Sequence, residues 1–491
     1  MHKELTMSNL RPRCVAALLF LSAALYAQPL QIAHIFSDHA VLQQETTVPV
    51  WGWGEPGNKV QVFTSWLKKP MAATVNEDGT WRVYLQTFKA DGRSQSLVVK
   101  SGKEKIELVD VVFGEVWICS GQSNMEMPIG GFGFQEVEGA TEAILEAAET
   151  AKQIRVFDIK APKCIEPQKD VDAKWAYSTG DVVSRTSAVG YFFAKRLAKN
   201  LGIPVGIIVN AWGGSRIEPW MTREAINRAG LTQKELDELY SVKEQPDRWP
   251  ETPELIWNGR VLPIVGYAAK GFLWYQGCSN MGQPGCYDKL QASMLQLWRD
   301  SWGRGDMPFI YVLLAPYDHG DANGRWRPHF VEAQMRMASM TSNAWYVCTE
   351  TLGNKVTVHP SQKKEVADMM ELTALQNVYG IPTGISIEPA RLKEWNVEED
   401  GTVKVRLTNV WSNLGSISSR DVVGFELAGE DREFHLAKAE IDWDGETIIV
   451  RCPEVSKPVA VRYGFRNWMG ANLAKSSGIP VPPFRSDDWE Y

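Results

Sequence analysis

The sequence predicts an α/β fold: a doubly wound, flavodoxin-like parallel sheet over residues 111–380, preceded by a small β-domain at 28–110 and followed by a second at 381–491. Three observations lead there. Apolar runs at Val116–Cys119, at Val205–Asn210 and just ahead of Gln276 are continuous instead of alternating, and each empties into a polar or glycine-rich turn. Segments with helical spacing lie between these runs. Outside 111–380 the texture changes to short alternating strands separated by turn residues.

Residues 1–27 stand apart from the fold. Lys3, Arg11 and Arg13 make a basic start, Val15–Tyr26 an apolar run, and Leu25-Tyr26-Ala27 a cleavage site before Gln28. This predicts a signal peptide and export to the periplasm or the extracellular space. The apolar run is too short to span a bilayer, and no later one approaches the roughly 20 residues a membrane span needs. From Ile32 to Asp110, Val48–Trp53, Lys59–Thr64, Thr80–Leu85 and Ser96–Ser101 alternate or nearly so. Turns at Glu55–Asn58, Asn76–Gly79 and Ala90–Gly92 separate them, so a small antiparallel sandwich is expected.

Beyond Val111, Glu136–Lys152 has helix formers with apolar spacing of three and four. A second helix is expected over Ser187–Asn200, stopped by Gly202 and then Pro204. Tyr287–Trp302 and Ser361–Tyr379 read as helices, Met307–Pro316 and Trp345–Thr349 as buried strands, and His319 and His329 fall in a polar loop. After Ile381, Val403–Val410, Glu446–Pro453 and Val459–Phe465 alternate as strands of a second β-domain.

Of the 491 residues 23% are charged, and the net charge of -7 argues against nucleic acid or an anionic membrane as the main partner. The 20 Trp hint at stacking on sugar rings, although most Trp in any chain are core. Six of the seven Cys follow the leader, and they are too scattered for a staple framework. Cys278 and Cys286 are the one close pair, and a bridge between them would close a short loop beside Gln276. No C-x-x-C or H-E-x-x-H occurs and the His are scattered, so no metal and no other cofactor is expected. Oligomeric state is open.

The stretch Val111–Pro128, VVFGEVWICSGQSNMEMP, places Ser123 at the mouth of the first buried strand, where open α/β sheets carry their chemistry. Met125 two positions on, instead of Gly, excludes the G-x-S-x-G elbow. GQSNM after VWICS resembles the nucleophile block of SGNH (GDSL-like) hydrolases, and the longer form is similar to the sialate O-acetylesterase family of carbohydrate esterases. FSDHAVLQQ ahead of VPVWGWGEPG, and RYGFRNWMGANL with GIPVPPFRSD near the end, extend the resemblance over nearly all of the chain after the leader. The resemblance implies a three-layer SGNH hydrolase domain flanked by β-sandwich-like domains. It also implies a secreted serine esterase that removes O-acetyl groups from sugars, with an O-acetylated glycan as its partner.

Residue by residue, the resemblance makes Ser123 the nucleophile and His359, in TVHPSQ, its base. The oxyanion would be met by the Ser123 N–H, by a backbone N–H of Gly213-Gly214, with Gly214 favoured, and by the Gln276 side chain in WYQG. A tight turn is the plainer reading of the glycine pair. Two departures stand out. The family's D-I-H-P has Asp two residues ahead of the His, where this chain has Thr357, and its WYQGESN has Glu where this chain has Cys278. Either a Ser-His dyad oriented by a main-chain carbonyl operates, or a remote acid such as Glu350 fills in, or the enzyme is weakened. Arg216 beside the glycine pair, and Arg462, would suit a sugar carboxylate, with solvated or structural arginines as the alternative. Nothing in the motifs reads the sugar, so acetylated xylan or pectin stays open beside sialic acid. A glycan-binding protein with a spent active site is the competing class, while a glycosidase lacks an identifiable carboxylate pair.

Overall fold

The computed structural model describes residues 28–160, 164–241, 252–410, 413–417, 419 and 421–489, and the expected signal peptide at 1–27 lies outside the described residues. The organising element is β1 (Glu104–Gly121), an 18-residue strand that belongs to two arrangements at once. Its first half pairs antiparallel with Gln95–Ser101 and parallel with Val41–Gln43. Its second half, Glu115–Gly121, is the middle of the parallel sheet. The expected junction at 110/111 therefore falls inside one continuous strand.

Around that second half lie β2 (Ile154–Asp158), β3 (Val205–Ala211), β4 (Gly271–Tyr275), β5 (Phe309–Val312) and β6 (Ala344–Val347). Their spatial order is β2-β3-β1-β4-β5-β6, every neighbouring pair parallel, with Trp175–Tyr177 added antiparallel outside β2. Side chains alternate between two cores, as the two-residue period of a strand requires. Val116, Ile118, Phe272, Trp274, Phe309 and Tyr311 enter one core; Trp117, Cys119, Leu273, Tyr275, Ile310 and Val312 enter the other. Burial on both sides explains the unbroken apolar runs.

The helices that matter for the site are α1 (Ser123–Glu126), α2 (Ala140–Thr150), α3 (Ala188–Leu201), α4 (Tyr287–Trp302), α5 (Trp326–Met337) and α6 (Lys363–Asn377). The N-cap of α3 is Ser187, whose Oγ accepts from Gly190 N at 3.1 Å, and Gly202 at φ +68° ends the helix ahead of Pro204. The buried residues of α3 and α6 join one core, and those of α4 and α5 the other. Helix α5 corrects the polar-loop reading of His329, which sits on it. Pro328 lies in its first turn, where the ring costs no hydrogen bond.

The chain before β1 forms a three-stranded antiparallel sheet, Gln31–Ile32, Thr47–Trp53 and Thr80–Gln86, facing Lys59–Thr64, Met71–Thr74 and Gln95–Ser101. Val48, Val50, Val60, Val62, Trp81 and Val83 fill the space between and merge with the α4/α5 core. The chain after 390 forms a seven-stranded antiparallel sheet around a separate core of Val403, Val405, Phe425, Leu427, Ile448 and Val450. Four of its strands were not anticipated: exposed polar residues break the alternation in Leu392–Val397 and Phe434–Ile441, a register shift around Gly424 interrupts Val422–Ala428, and Phe484–Arg485 is only two residues long. Cys278 and Cys286 are both free thiols, which answers the question their spacing left open. Among the described residues, no group of three or more His, Cys, Asp or Glu could hold a metal ion. No described helix is long and apolar enough to cross a membrane.

Candidate active site

Three strand mouths, those of β1, β3 and β4, lie side by side and are tied together before any reactive group is placed. At Gly121 (φ +137°) a Cβ would stand 2.2 Å from the Tyr275 carbonyl oxygen, so only glycine permits the crossing onto β4. Gln122 then donates its backbone N–H to Tyr275 O at 2.9 Å and accepts the Gly277 N–H on Oε1 at 2.9 Å. Ser123 follows as the first residue of α1, where a backbone N–H has no intrahelical acceptor.

His359 lies 236 positions further along the chain, and its Nε2 is 2.7 Å from Ser123 Oγ. Its other nitrogen, Nδ1, is 2.7 Å from Oε1 of Gln135. The Gln135 amide Nε2 donates to Thr357 Oγ1 at 2.9 Å, and the same oxygen accepts the His359 backbone N–H at 3.1 Å. Phe132 meets the imidazole edge-on, with ring centroids 5.5 Å apart. Asn124, next to the nucleophile, donates to Val358 O at 3.0 Å and accepts from Lys363 Nζ at 2.6 Å. The turn with the hydroxyl and the loop with the imidazole are thereby pinned to each other on both sides.

Burial, and after it the Lys363 ammonium, lowers the His359 pKa to about 4. Burial lowers Lys363 to about 7, opposed by the Cys278 thiol. His359 is therefore neutral near pH 7. With its proton on Nδ1, facing the Gln135 carbonyl oxygen, Nε2 is free to accept the Ser123 proton.

The glycine pair lies at the mouth of β3. A Cβ on Gly213 would stand 2.8 Å from Glu126 Oε2, the end of a flexible side chain, and 3.5 Å from Ser123 Cβ, so the turn passes close beside the nucleophile. The Gly213 N–H donates to Glu126 Oε2 at 2.6 Å, while Gly214 (φ +70°) is exposed. Gln276 is placed otherwise than expected. It is fully buried, its Nε2 donates to Ser215 O at 3.0 Å and to Asn280 Oδ1 at 2.8 Å, and its Oε1 accepts from Tyr287 at 2.6 Å. Both amide hydrogens are committed, so Gln276 joins the loops after β3 and β4 instead of pointing a donor at the hydroxyl.

Glu350 is not a partner of His359. It forms a buried ion pair with Arg327 and packs against Gly464, whose Cβ would lie 2.8 Å from its Oε1. Arg216 is held by the buried Glu218, at 2.7 Å, and by Gln283. Arg462 pairs with Asp487 at 2.6 Å and stacks over Phe434. Both arginines are thus engaged within the protein. The residue that sequence reasoning missed is Gln135. It lies in the turn Gly130–Gln135, whose glycines and aromatics give no local sign that one amide reaches a histidine 224 positions away.

A hydroxyl hydrogen-bonded to a neutral imidazole at the mouth of a parallel sheet is suited to acyl transfer. Comparison with known proteins agrees. Residues 113–373 match the family model described as carbohydrate esterase, sialic acid-specific acetylesterase. The human sialate O-acetylesterase is 27% identical over 384 residues, 71% of each chain, and the mouse enzyme 23% identical over 516 residues, 92% of this chain and 94% of its own. The crystal structure of a carbohydrate acetylesterase from Xanthomonas citri superposes with a TM-score of 0.81 at 30% identity, covering 94% of this chain and all of that one. The chain is a carboxylic ester hydrolase with a carbohydrate esterase fold, and it belongs to the sialic acid-specific acetylesterase family of carbohydrate esterases.

Proposed function

We propose that this protein is an exported serine esterase that removes O-acetyl groups from glycans through an acetyl-enzyme, with O-acetylated sialic acid as the first substrate to test. The observation that carries the mechanism is the 2.7 Å contact between Ser123 Oγ and His359 Nε2. Ser123 Oγ attacks the acetyl carbonyl while Nε2 takes its proton, and the resulting imidazolium returns that proton to the departing sugar oxygen. Water, deprotonated by the same nitrogen, then releases acetate. The oxyanion is met by the Ser123 N–H and by the N–H of the exposed Gly214, since the Gly213 N–H is engaged by Glu126. Relatives named as sialate O-acetylesterases support the sialic acid reading, and because no motif reads the sugar, acetylated xylan or pectin is the second.

Acetate release is to be measured with O-acetylated sialosides, xylan and pectin oligosaccharides as substrates, using wild type and Ser123→Ala. The proposal expects release from at least one glycan, and a fall of roughly 10⁴-fold or more in the variant. Equal, background-level release by both proteins from every glycan would favour a binding protein instead.

A further inference from the structure

The imidazole of this site is held by an uncharged side chain. Gln135 Oε1 stands 2.7 Å from His359 Nδ1, the position a carboxylate takes in a Ser-His-acid unit, and Thr357 occupies the place where the resemblance expects the acid. From the esterase reading and this geometry, we infer that Gln135 is the positioning residue of the catalytic histidine and that Thr357 sets which end of the Gln135 amide faces the ring.

An amide has two unlike ends, and only one is useful here. With Oε1 toward the ring, Nδ1 keeps the proton and Nε2 accepts from Ser123. With the amide reversed, its N–H would face Nδ1, the ring proton would move to Nε2, and the base would be lost. Thr357 Oγ1 selects the useful end: it receives the Gln135 N–H at 2.9 Å and is itself fixed by the His359 backbone N–H at 3.1 Å. The backbone of Gln135 is equally constrained. It exchanges two hydrogen bonds with Phe132, at 2.9 and 2.8 Å, and Gly130 N donates to Ser184 O at 2.8 Å.

A neutral partner also changes how the ring titrates. The charged side chains on the elements around it are Glu126 on α1, Lys355 on its own loop, Glu136 after the Gln135 turn, and Lys363, Lys364 and Glu365 at the start of α6. Lys363 is the one that depresses the imidazole, and among the described residues no carboxylate touches the ring to oppose it. A carboxylate at Gln135 would favour the imidazolium and move the acid limb of activity upward.

The test compares 4-nitrophenyl acetate hydrolysis, as kcat, KM and pH profile, in wild type, Ser123→Ala, Gln135→Ala, Gln135→Glu and Gln135→Ala/Thr357→Asp. Gln135→Ala is expected to lower kcat roughly hundredfold, with KM changed by less than about threefold. Gln135→Glu is expected to keep substantial activity and to raise the acid limb by about one pH unit or more. Thr357→Asp, placed in the Gln135→Ala chain, is expected to restore kcat at least about tenfold, because it returns an acceptor to Nδ1. Wild-type kcat and pH limb in Gln135→Ala, or an unmoved limb in Gln135→Glu, would overturn the inference while Ser123→Ala stays inactive. Full activity in Ser123→Ala would instead remove the esterase mechanism beneath it. If Gln135→Ala fails to fold, the limb of Gln135→Glu decides.

Discussion

Ser123 and His359 meet because each lies in a short turn whose sequence specifies its shape, and such turns are legible from residues alone. Their companions were less so. Gln276 sits in a recognisable block, yet its amide is saturated by Ser215, Asn280 and Tyr287, three partners that only the folded loops assemble. Glu350 was an eligible acid by type and position, and a buried Arg327 claims it. Gln135 carried no signal, since its meaning depends on a ring 224 positions away. The lowered His359 pKa, about 4, has a direct consequence. The active form is the neutral imidazole, so kcat/KM should stay level as pH falls through the usual histidine range near 6.5 and decline only toward pH 4. A pH profile of kcat/KM on 4-nitrophenyl acetate checks this, after confirming by circular dichroism that the protein remains folded. A limb at pH 6 to 7 would mean that the free imidazole is not depressed.

The one-turn helix α1 is too short to hold itself, and α3 supplies the missing support. Ser187 Oγ caps α3 by accepting from Gly190 N, and it donates to Met125 O at 2.6 Å, within α1. One hydroxyl thus joins the start of a 14-residue helix to the turn that presents Ser123. Ser187→Ala should cost about 1–2 kcal/mol in urea unfolding, from the lost cap and the unpaired Met125 carbonyl, and should lower kcat more than it raises KM. A loss of stability with kcat unchanged would show that the Met125 contact does not orient the nucleophile. The start and stop of α3 were legible because Ser187, Gly202 and Pro204 are punctuation with a physical basis. Helix α5 was not, because Pro328, His329 and the glycines before it read as loop. Only burial of Phe330, Val331, Ala333 and Met337 gives that segment its helical face.

Three cores divide the described residues, yet one strand and a set of ion pairs knit them together. β1 carries the chain from its pairing with Gln95–Ser101 into the parallel sheet without a break, and the β-rich start packs on the α4/α5 side through a shared core. The late sheet has its own core and is fastened to α5 by Arg485–Glu332, at 2.8 Å, and by Asn467 accepting from Arg327 N at 3.1 Å. Change of texture in the sequence suggests three regions; how these stretches share strands and charges depends on partners distant along the chain. Beneath this junction lies the Arg327–Glu350 pair. Glu350→Ala would strand a buried guanidinium and should cost about 3–5 kcal/mol of stability, measured by urea unfolding. The folded fraction should keep its kcat and its pH limb, and a moved limb would return Glu350 to the site as an acid. The mechanism itself is tested most directly by acid-quenching the enzyme within milliseconds of mixing with excess acetyl ester and mapping its peptides by mass. A single acetyl group on the peptide containing Ser123, absent in Ser123→Ala, is the expected result. An acetyl group on another residue, or turnover that survives the loss of that hydroxyl, would contradict it.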